Sequence, residues 1–145
     1  MYSSIADMVA RFGEAELVRL TTPLGADRVA IDGVRVAQAL TDASGLIDSY
    51  LRRRYAVPLA APPAEVTRAA AVLARYDLAF GPDRAPTEET RLARKDVVSW
   101  LDGIAAGSVT LDGAVPAGEA SYARTSDRTP DVSHCAGGAC DRFRL

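Results

Sequence analysis

At 145 residues, the chain has room for one domain, and a domain of this size buries about two-thirds of its unfolded surface. Apolar residues make up 48% of the chain and aromatic residues only 6%, because Ala, Leu and Val carry most of the apolar share, and this favours helices over a β-sandwich. The net charge of −2 excludes a sequence-wide attraction to nucleic acid or to an anionic membrane surface, and no apolar run is long enough to span a bilayer.

Two short helices are predicted at the start of the chain. Ser4 and Asp7 have the spacing of a capping box, and apolar residues then recur at helical intervals up to Gly13, a typical stop signal. A second short helix is expected over 14–20, and the proline and glycine within 21–25 break the pattern. Because the first residues lack the basic and apolar regions of a secretory signal, we expect the protein to be cytoplasmic when it is made.

The longest predicted helix runs from Asp32 to Arg54. Its apolar residues are spaced by threes and fours, and Asp32 is placed as the N-cap. Gly45 within this helix is unfavourable by about 1 kcal/mol relative to alanine. We therefore expect a neighbouring helix to approach Gly45 closely, and a bend of the helix is the alternative.

Two further helices are predicted downstream. The prolines within 58–63 indicate an extended connector, and an alanine-rich helix over 64–80 follows it. Thr87 is placed as the N-cap of a last helix that ends at Gly107. The predicted fold is therefore all-α, a compact bundle of four to five helices. The core side of the last helix is predicted to consist of Val97, Val98, Trp100, Leu101 and Ile104.

The composition of the chain changes after Gly107. Residues 108–145 are rich in Gly, Ser, Thr, Asp, Arg and Ala and contain few large apolar side chains, which is typical of a segment without its own core. We therefore divide the chain into a helical domain, 1–107, and an extended, largely irregular C-terminal arm, 108–145. A segment of this composition is expected to need a partner to order it.

The sequence offers no coherent catalytic constellation. Its single histidine, His134, lies in the predicted arm, where no rigid surroundings would hold it for catalysis. The neighbouring carboxylates within 14–16 and 88–89 stand where helices begin, and the positive end of the helix dipole explains them. Glycine-rich nucleotide-binding loops are absent from the sequence. We therefore expect a protein that is not an enzyme and that needs no cofactor.

One local motif in the predicted arm could bind a metal ion. Its candidate ligands are His134, Cys135, Cys140 and Asp141, and the two intervening glycines would let them come together. A structural zinc site needs four well-placed ligands, and the sequence has no second pair of Cys or His residues elsewhere. A metal site, a local or intersubunit disulfide and two free thiols therefore stay open, with free thiols favoured.

An arginine triplet, formed by Arg52, Arg53 and Arg54, stands at the predicted end of the long helix. Cations there favour the negative end of the helix dipole, so capping and solvation explain the triplet. Contact with a neighbouring subunit is the main alternative, and DNA contact is a minor one. Further candidates for partner contact lie in the arm and are aromatic, apolar or cationic: Tyr122, Arg124, Arg128, Phe143, Arg144 and Leu145.

An ordered series of short segments runs through the predicted helices. It consists of Ile5-Ala6-Asp7-Met8, Arg11-Phe12-Gly13-Glu14, Ala39-Leu40-Thr41-Asp42-Ala43-Ser44, Ile47-Asp48-Ser49-Tyr50-Leu51, Arg54-Tyr55, Val57-Pro58-Leu59 and Ala74-Arg75-Tyr76-Asp77-Leu78. The series resembles a family of small proteins found in the structural-gene clusters of Mu-like phages and prophages. The resemblance covers about residues 2–110, and the chain beyond about Leu111 has no pattern of that family.

The resemblance implies a role and a set of partners. Proteins of this kind are head-tail connectors, or adaptors, whose helical subunits form a ring, commonly of twelve, beneath the portal. The implied partners are further copies of the chain, the portal protein and a tail-proximal neck or tail protein. The genomic DNA would pass through the channel without sequence-specific binding, no membrane is involved, and the implied location is the neck of the virion between head and tail.

Two other roles stay open. Another neck component, such as a stopper or tail-completion protein, would be expected to contain more β-structure. A helical DNA-binding regulatory protein is the less favoured alternative, and it would use the arginine triplet and the neighbouring helices.

Overall fold

The computed structural model describes residues 1–117 except 24, 28, 82 and 83. Five helices form most of this part of the chain, and it contains no β-strand; none of the helices is both long and apolar enough to cross a membrane. The predicted all-α bundle of four to five helices is therefore confirmed. The helices are α1 (Ile5–Phe12), α2 (Glu14–Thr21), α3 (Gly33–Leu51), α4 (Ala64–Ala79) and α5 (Glu88–Ala106).

The predicted capping residues begin three of the helices. The Ser4 hydroxyl accepts a hydrogen bond from the Asp7 N–H, and the Asp7 carboxylate accepts one from the Ser4 N–H, which forms a capping box. The Ser4 hydroxyl also donates to the Asp7 carboxylate, and this bond together with the one from the Ser4 N–H lowers the pKa of Asp7. The Asp32 carboxylate caps α3, and the Thr87 hydroxyl caps α5. Helix α5 ends at Gly107, whose φ of 87° lies in the left-handed region that glycine favours.

Helix α3 differs from its prediction at two points. It ends at Leu51, and the arginine triplet lies beyond it in a turn in which the Tyr55 N–H donates to the Leu51 carbonyl at 2.9 Å. The expectation of a close neighbour at Gly45 is wrong. A Cβ atom at Gly45 would meet no atom within 4 Å outside the backbone of its own helix turn, and the residue is exposed.

Helices α3 and α4 form the centre of the core. They make the most extensive helix contact of the bundle, and Leu40 and Ile47 of α3 are fully buried. The small side chains of Ala69, Ala70 and Ala71 are also buried, and their size lets the neighbouring helices approach closely. Helix α5 packs against both central helices. Of the two shorter helices, α1 contacts α3 and α2 contacts α4.

Tyr2 ties the start of the chain to α3 and to the connector that follows it. Its N–H donates to the Ser44 hydroxyl at 3.1 Å, its hydroxyl donates to the Asp48 carboxylate, and the same oxygen accepts from the Leu59 N–H at 3.0 Å. Only 4% of Tyr2 is exposed. Burial and the hydrogen bond to Asp48 raise the pKa of Tyr2 to about 12.

Residues 107–117, which we call the C-terminal strap, fold back on the helices. Leu111 is buried, and its N–H donates to the Tyr55 hydroxyl at 2.9 Å. The Ala56 N–H donates to the Val115 carbonyl at 2.9 Å, so the strap also pairs with the connector backbone. The packed part of the chain therefore continues beyond Gly107, after which the sequence predicted an extended arm.

Candidate interaction surfaces

The structure places only some of the predicted contact residues. Arg52, Arg53 and Arg54 are described and exposed. Within the described ranges, no group of three or more His, Cys, Asp or Glu side chains could hold a metal ion. The other predicted contact residues, Tyr122, Arg124, Arg128, Phe143, Arg144 and Leu145, and the possible metal ligands, His134, Cys135, Cys140 and Asp141, lie outside the described residues.

The arginine triplet lies beside the C-terminal strap. The Arg54 guanidinium covers Gly107 so closely that a Cβ there would collide with it, and the Arg54 carbonyl accepts from the Ala117 N–H at 2.8 Å. Because Gly107 caps the C-terminus of α5, the Arg54 charge also stands at the negative end of that helix dipole. Within the described ranges, Arg52 and Arg53 form no ion pair. The triplet thus lies at the point from which residues 118–145 continue.

A groove of about 330 Å³ runs between α4 and α5. Four residues of each helix line it, and in each helix they follow the spacing i, i+3, i+4 and i+7, which places them on one face. Its apolar lining is incompletely covered, since Val72, Val97 and Trp100 are only half-buried. We call this site the α4–α5 groove; it consists of Glu65, Arg68, Ala69, Val72, Ala93, Asp96, Val97 and Trp100.

A second surface on the same two helices combines aromatic rings with cations. The rings of Tyr76 and Phe80 stack with centroids 6.3 Å apart, and the Arg94 guanidinium lies 4.7 Å from the centre of the Tyr76 ring. Phe80 is 68% exposed, and Arg91 and Lys95 are exposed on the same side of α5 as Arg94. We call these five residues the aromatic-cation face. Arginine and aromatic side chains are enriched where proteins bind one another.

Other cations serve the fold of the chain. Arg75 forms an ion pair with Glu16, with Nε and Oε1 2.8 Å apart, and its guanidinium lies 4.8 Å from the centre of the Phe12 ring. Arg84 donates hydrogen bonds to backbone carbonyls at the end of α2, including that of Thr22. The Arg75 contacts hold α1 and α2 against α4, and those of Arg84 hold the end of α2 against the connector between α4 and α5. The cleft of about 250 Å³ beside them is therefore best explained as structural.

Exposed apolar side chains also occur where α3 begins. Val29 is 85% exposed and Val34 is 81% exposed. Ile5 reaches Gly33 from α1, since its Cδ1 atom would lie 3.7 Å from a Cβ added there. This end of the molecule therefore presents a second set of apolar side chains, separate in sequence from the aromatic-cation face.

The sequence contains signals for the α4–α5 groove and for the aromatic-cation face, but the signal for the groove is the same as that of core residues. Trp100 and Val97 were predicted as core because they lie on the apolar stripe of α5. Both pack against the core but are only half-buried, because they also line the groove. For the aromatic-cation face, the signal is the spacing of three and four residues from Arg91 to Arg94 and Lys95. Helical spacing identifies a shared face, and only the packing decides how far that face is covered.

Comparison with known proteins finds phage relatives over most of the chain. The family model described as bacteriophage Mu, Gp36 matches residues 2–128, which include all five helices and the C-terminal strap. Gene product J of Escherichia phage Mu is 36% identical over 106 residues, or 73% of this chain and 72% of that protein. The Mu-like prophage FluMu protein gp36 of Haemophilus influenzae is 39% identical over 82 residues, or 57% of this chain and 56% of that protein.

Proposed function

Because the chain belongs to the bacteriophage Mu Gp36 family and is a protein of Mu-like phages, we propose that it is a head-tail connector subunit. In this role, copies of the chain form a closed ring, commonly of twelve, beneath the portal. The ring presents a docking surface to the tail or to another neck protein. The protein acts as a structural part of the virion neck and not as an enzyme.

The observation that carries the proposal is the family membership over residues 2–128. The helical architecture of the described part supports it, since a stopper or tail-completion protein would be expected to contain more β-structure. A regulatory DNA-binding protein receives less support, because the chain has a net charge of −2 and its longest run of consecutive cations is the arginine triplet.

The distribution of exposed side chains also supports a ring subunit. Neighbours in a ring use two different surfaces of the same subunit, because the contact is head-to-tail. The chain offers the aromatic-cation face on α4 and α5 and a second apolar set around Val29 and Val34. A subunit with two such surfaces can contact one neighbour with each of them, which leaves the arginine triplet for the portal, the tail or the phosphates of the DNA in the channel.

Electron microscopy of the phage particles that carry this protein tests the proposal. We expect a closed ring of helical subunits between the portal and the tail, and particles that lack the protein should be heads without attached tails. Density for the protein on the capsid shell, or its absence from the virion, would overturn the assignment.

Measuring the binding of the isolated protein to duplex DNA distinguishes a connector subunit from a regulatory DNA-binding protein. We expect weak binding to duplex DNA that does not depend on the base sequence. Tight binding to one DNA sequence, with affinity falling steeply as salt rises, would instead support a regulatory protein.

A further inference from the structure

The α4–α5 groove has an apolar floor that the described residues leave open. Val72, Val97 and Trp100 are half-buried, and the space between the two helices is about 330 Å³. This volume is at the lower end of the range of about 300–1,000 Å³ found for ligand sites. The groove therefore suits one large apolar side chain better than a long stretch of peptide.

The rim of the groove carries charged side chains, which determine what charges an occupant should have next to its large apolar side chain. Glu65 and Asp96 are exposed, one on each helix, and Arg68 lies near Glu65 on α4. Within the described ranges, Arg75 is the single cation that forms ion pairs, and its partners are Glu16 and Glu89, so neither rim carboxylate has a cationic partner there. A matching occupant carries a large apolar side chain with positive charges next to it.

The chain itself contains a segment with this chemistry. Residues 118–145 include two aromatic side chains, Tyr122 and Phe143. Phe143 has an arginine on each side, whereas Tyr122 lies between Ser121 and Ala123 and has no adjacent charge. The 28 residues from 118 to 145 can span about 90 Å when extended, so reach does not prevent contact with the groove of the same or of a neighbouring molecule.

We propose that the segment Arg142-Phe143-Arg144-Leu145 docks in the α4–α5 groove. Phe143 packs against Trp100 and Val97, and the two flanking arginines lie close to Glu65 and Asp96. The match to the phage family ends at residue 128, so the docking segment lies outside the family match and the groove lies inside it. The inference goes beyond the connector role and does not depend on it.

Tryptophan fluorescence of the full chain tests the proposal directly, because Trp100 is the only tryptophan and lines the groove. We expect Phe143→Ala to shift the Trp100 emission to longer wavelength and to increase quenching by acrylamide. Tyr122→Ala is the matched control, since it removes the other aromatic side chain of residues 118–145. We expect the control to leave the emission unchanged, with the circular dichroism spectrum the same in both variants.

A synthetic peptide of residues 138–145, added to the Phe143→Ala variant, provides the second measurement. We expect it to reverse the emission shift at saturation, and we expect its affinity to fall as salt rises or when Glu65→Gln and Asp96→Asn are combined. Asp102→Asn, an exposed carboxylate of α5 outside the groove, serves as control and should leave the affinity unchanged. A peptide that carries Phe143→Ala should not bind.

Three results would overturn the proposal: an emission spectrum unaffected by Phe143→Ala, an equal shift with Tyr122→Ala, or peptide binding that survives loss of the phenyl ring. The dependence of the full chain's emission on protein concentration shows whether the docked segment comes from the same molecule or from a neighbouring copy. A constant spectrum indicates docking within one molecule, and a shift to shorter wavelength on concentration indicates docking by a neighbouring copy. Both results support the segment as the occupant.

Discussion

Helix α4 takes part in two helix contacts that differ in how completely they are covered. With α3 it forms the centre of the core, where Leu40 of α3 and Leu73 and Ala74 of α4 are at most 1% exposed. With α5 it also forms the α4–α5 groove, where Val72 and Trp100 remain half-buried. One helix therefore contributes to a closed contact and to an open one.

The difference between the two contacts separates stability from binding. Each fully buried side chain in the α3–α4 contact contributes to the free energy of unfolding, because its apolar surface is removed from water. A half-buried side chain in the groove contributes less to folding and keeps apolar surface available to a partner. Substitutions in the α3–α4 contact should therefore mainly change the free energy of unfolding, and substitutions in the α4–α5 groove should mainly change the binding of a partner.

The largest effect is expected in the closed contact. Leu40→Ala removes a fully buried side chain of α3 and should lower the free energy of unfolding by about 2–5 kcal/mol. Val72→Ala, its matched partner in the groove, should lower it by less than about 1.5 kcal/mol. Urea unfolding followed by circular dichroism measures both. Equal losses would show that the groove is as closed as the core.

The buried Tyr2 hydroxyl should contribute to stability, because it joins the start of the chain to α3 and to the connector after α3. Tyr2→Phe leaves the Leu59 N–H without its acceptor and should lower the free energy of unfolding by about 1–3 kcal/mol. Tyr50→Phe is the control, because the half-buried Tyr50 hydroxyl makes no hydrogen bond to the described residues. Urea unfolding of the three proteins at neutral pH gives the comparison, and equal effects of both substitutions would contradict it.

The raised pKa of Tyr2 adds a pH dependence. Because the pKa is about 12 in the folded chain and 10.0 as its ordinary value, the neutral phenol contributes its full stability below pH 10.0. That contribution is lost as the pH rises through about 12. Between these values the wild-type chain should lose stability faster than Tyr2→Phe, as measured by urea unfolding at a series of alkaline pH values. Parallel curves would argue against a buried phenol.

Gly45 marks an exposed position of α3 outside the closed contact. Gly45→Ala should raise the free energy of unfolding by about 1 kcal/mol, because the added Cβ meets open space and alanine favours the helix. Gly107→Ala should have the opposite sign, since the residue has a φ of 87° and lies against Arg54. Thermal unfolding measures both changes. A destabilising Gly45→Ala would restore the expectation of a close neighbour.

The smallest effect on stability is expected on the aromatic-cation face. Phe80→Ser should change the free energy of unfolding by less than about 0.5 kcal/mol, because the ring is 68% exposed, but it should weaken self-association. Leu92→Ser, at an exposed apolar position of α5, is the control. Light scattering coupled to gel filtration compares the two variants. If Phe80→Ser leaves the association state intact, another surface mediates it.

Much of the helical fold could be predicted from local signals. Ser4, Asp32 and Thr87 mark helix starts because a cap is a contact between residues close in sequence. The C-terminal strap could not be predicted in this way, since Leu111 depends on a hydrogen bond to Tyr55, which is 56 residues away. Composition alone made this segment look like the start of an arm.

The candidate surfaces were predictable only in part. The arginine triplet is visible in the sequence as consecutive cations, although its contact with Gly107 is not. The groove was missed because Trp100 and Val97 have the spacing of core residues. Periodicity shows which side chains share a helix face, and the neighbouring helix determines how much of that face it covers.

The arginine triplet and the aromatic-cation face share one further property. Every basic residue of the sequence except Lys95 and His134 is an arginine, and a guanidinium keeps its proton throughout the ordinary pH range. The positive charge of these arginines is therefore fixed, so where a partner meets them protonation can act only on the partner's carboxylates or phosphates. A contact made through these surfaces should loosen when acid neutralises the partner or when salt screens it, and mild alkali should leave its electrostatic attraction intact.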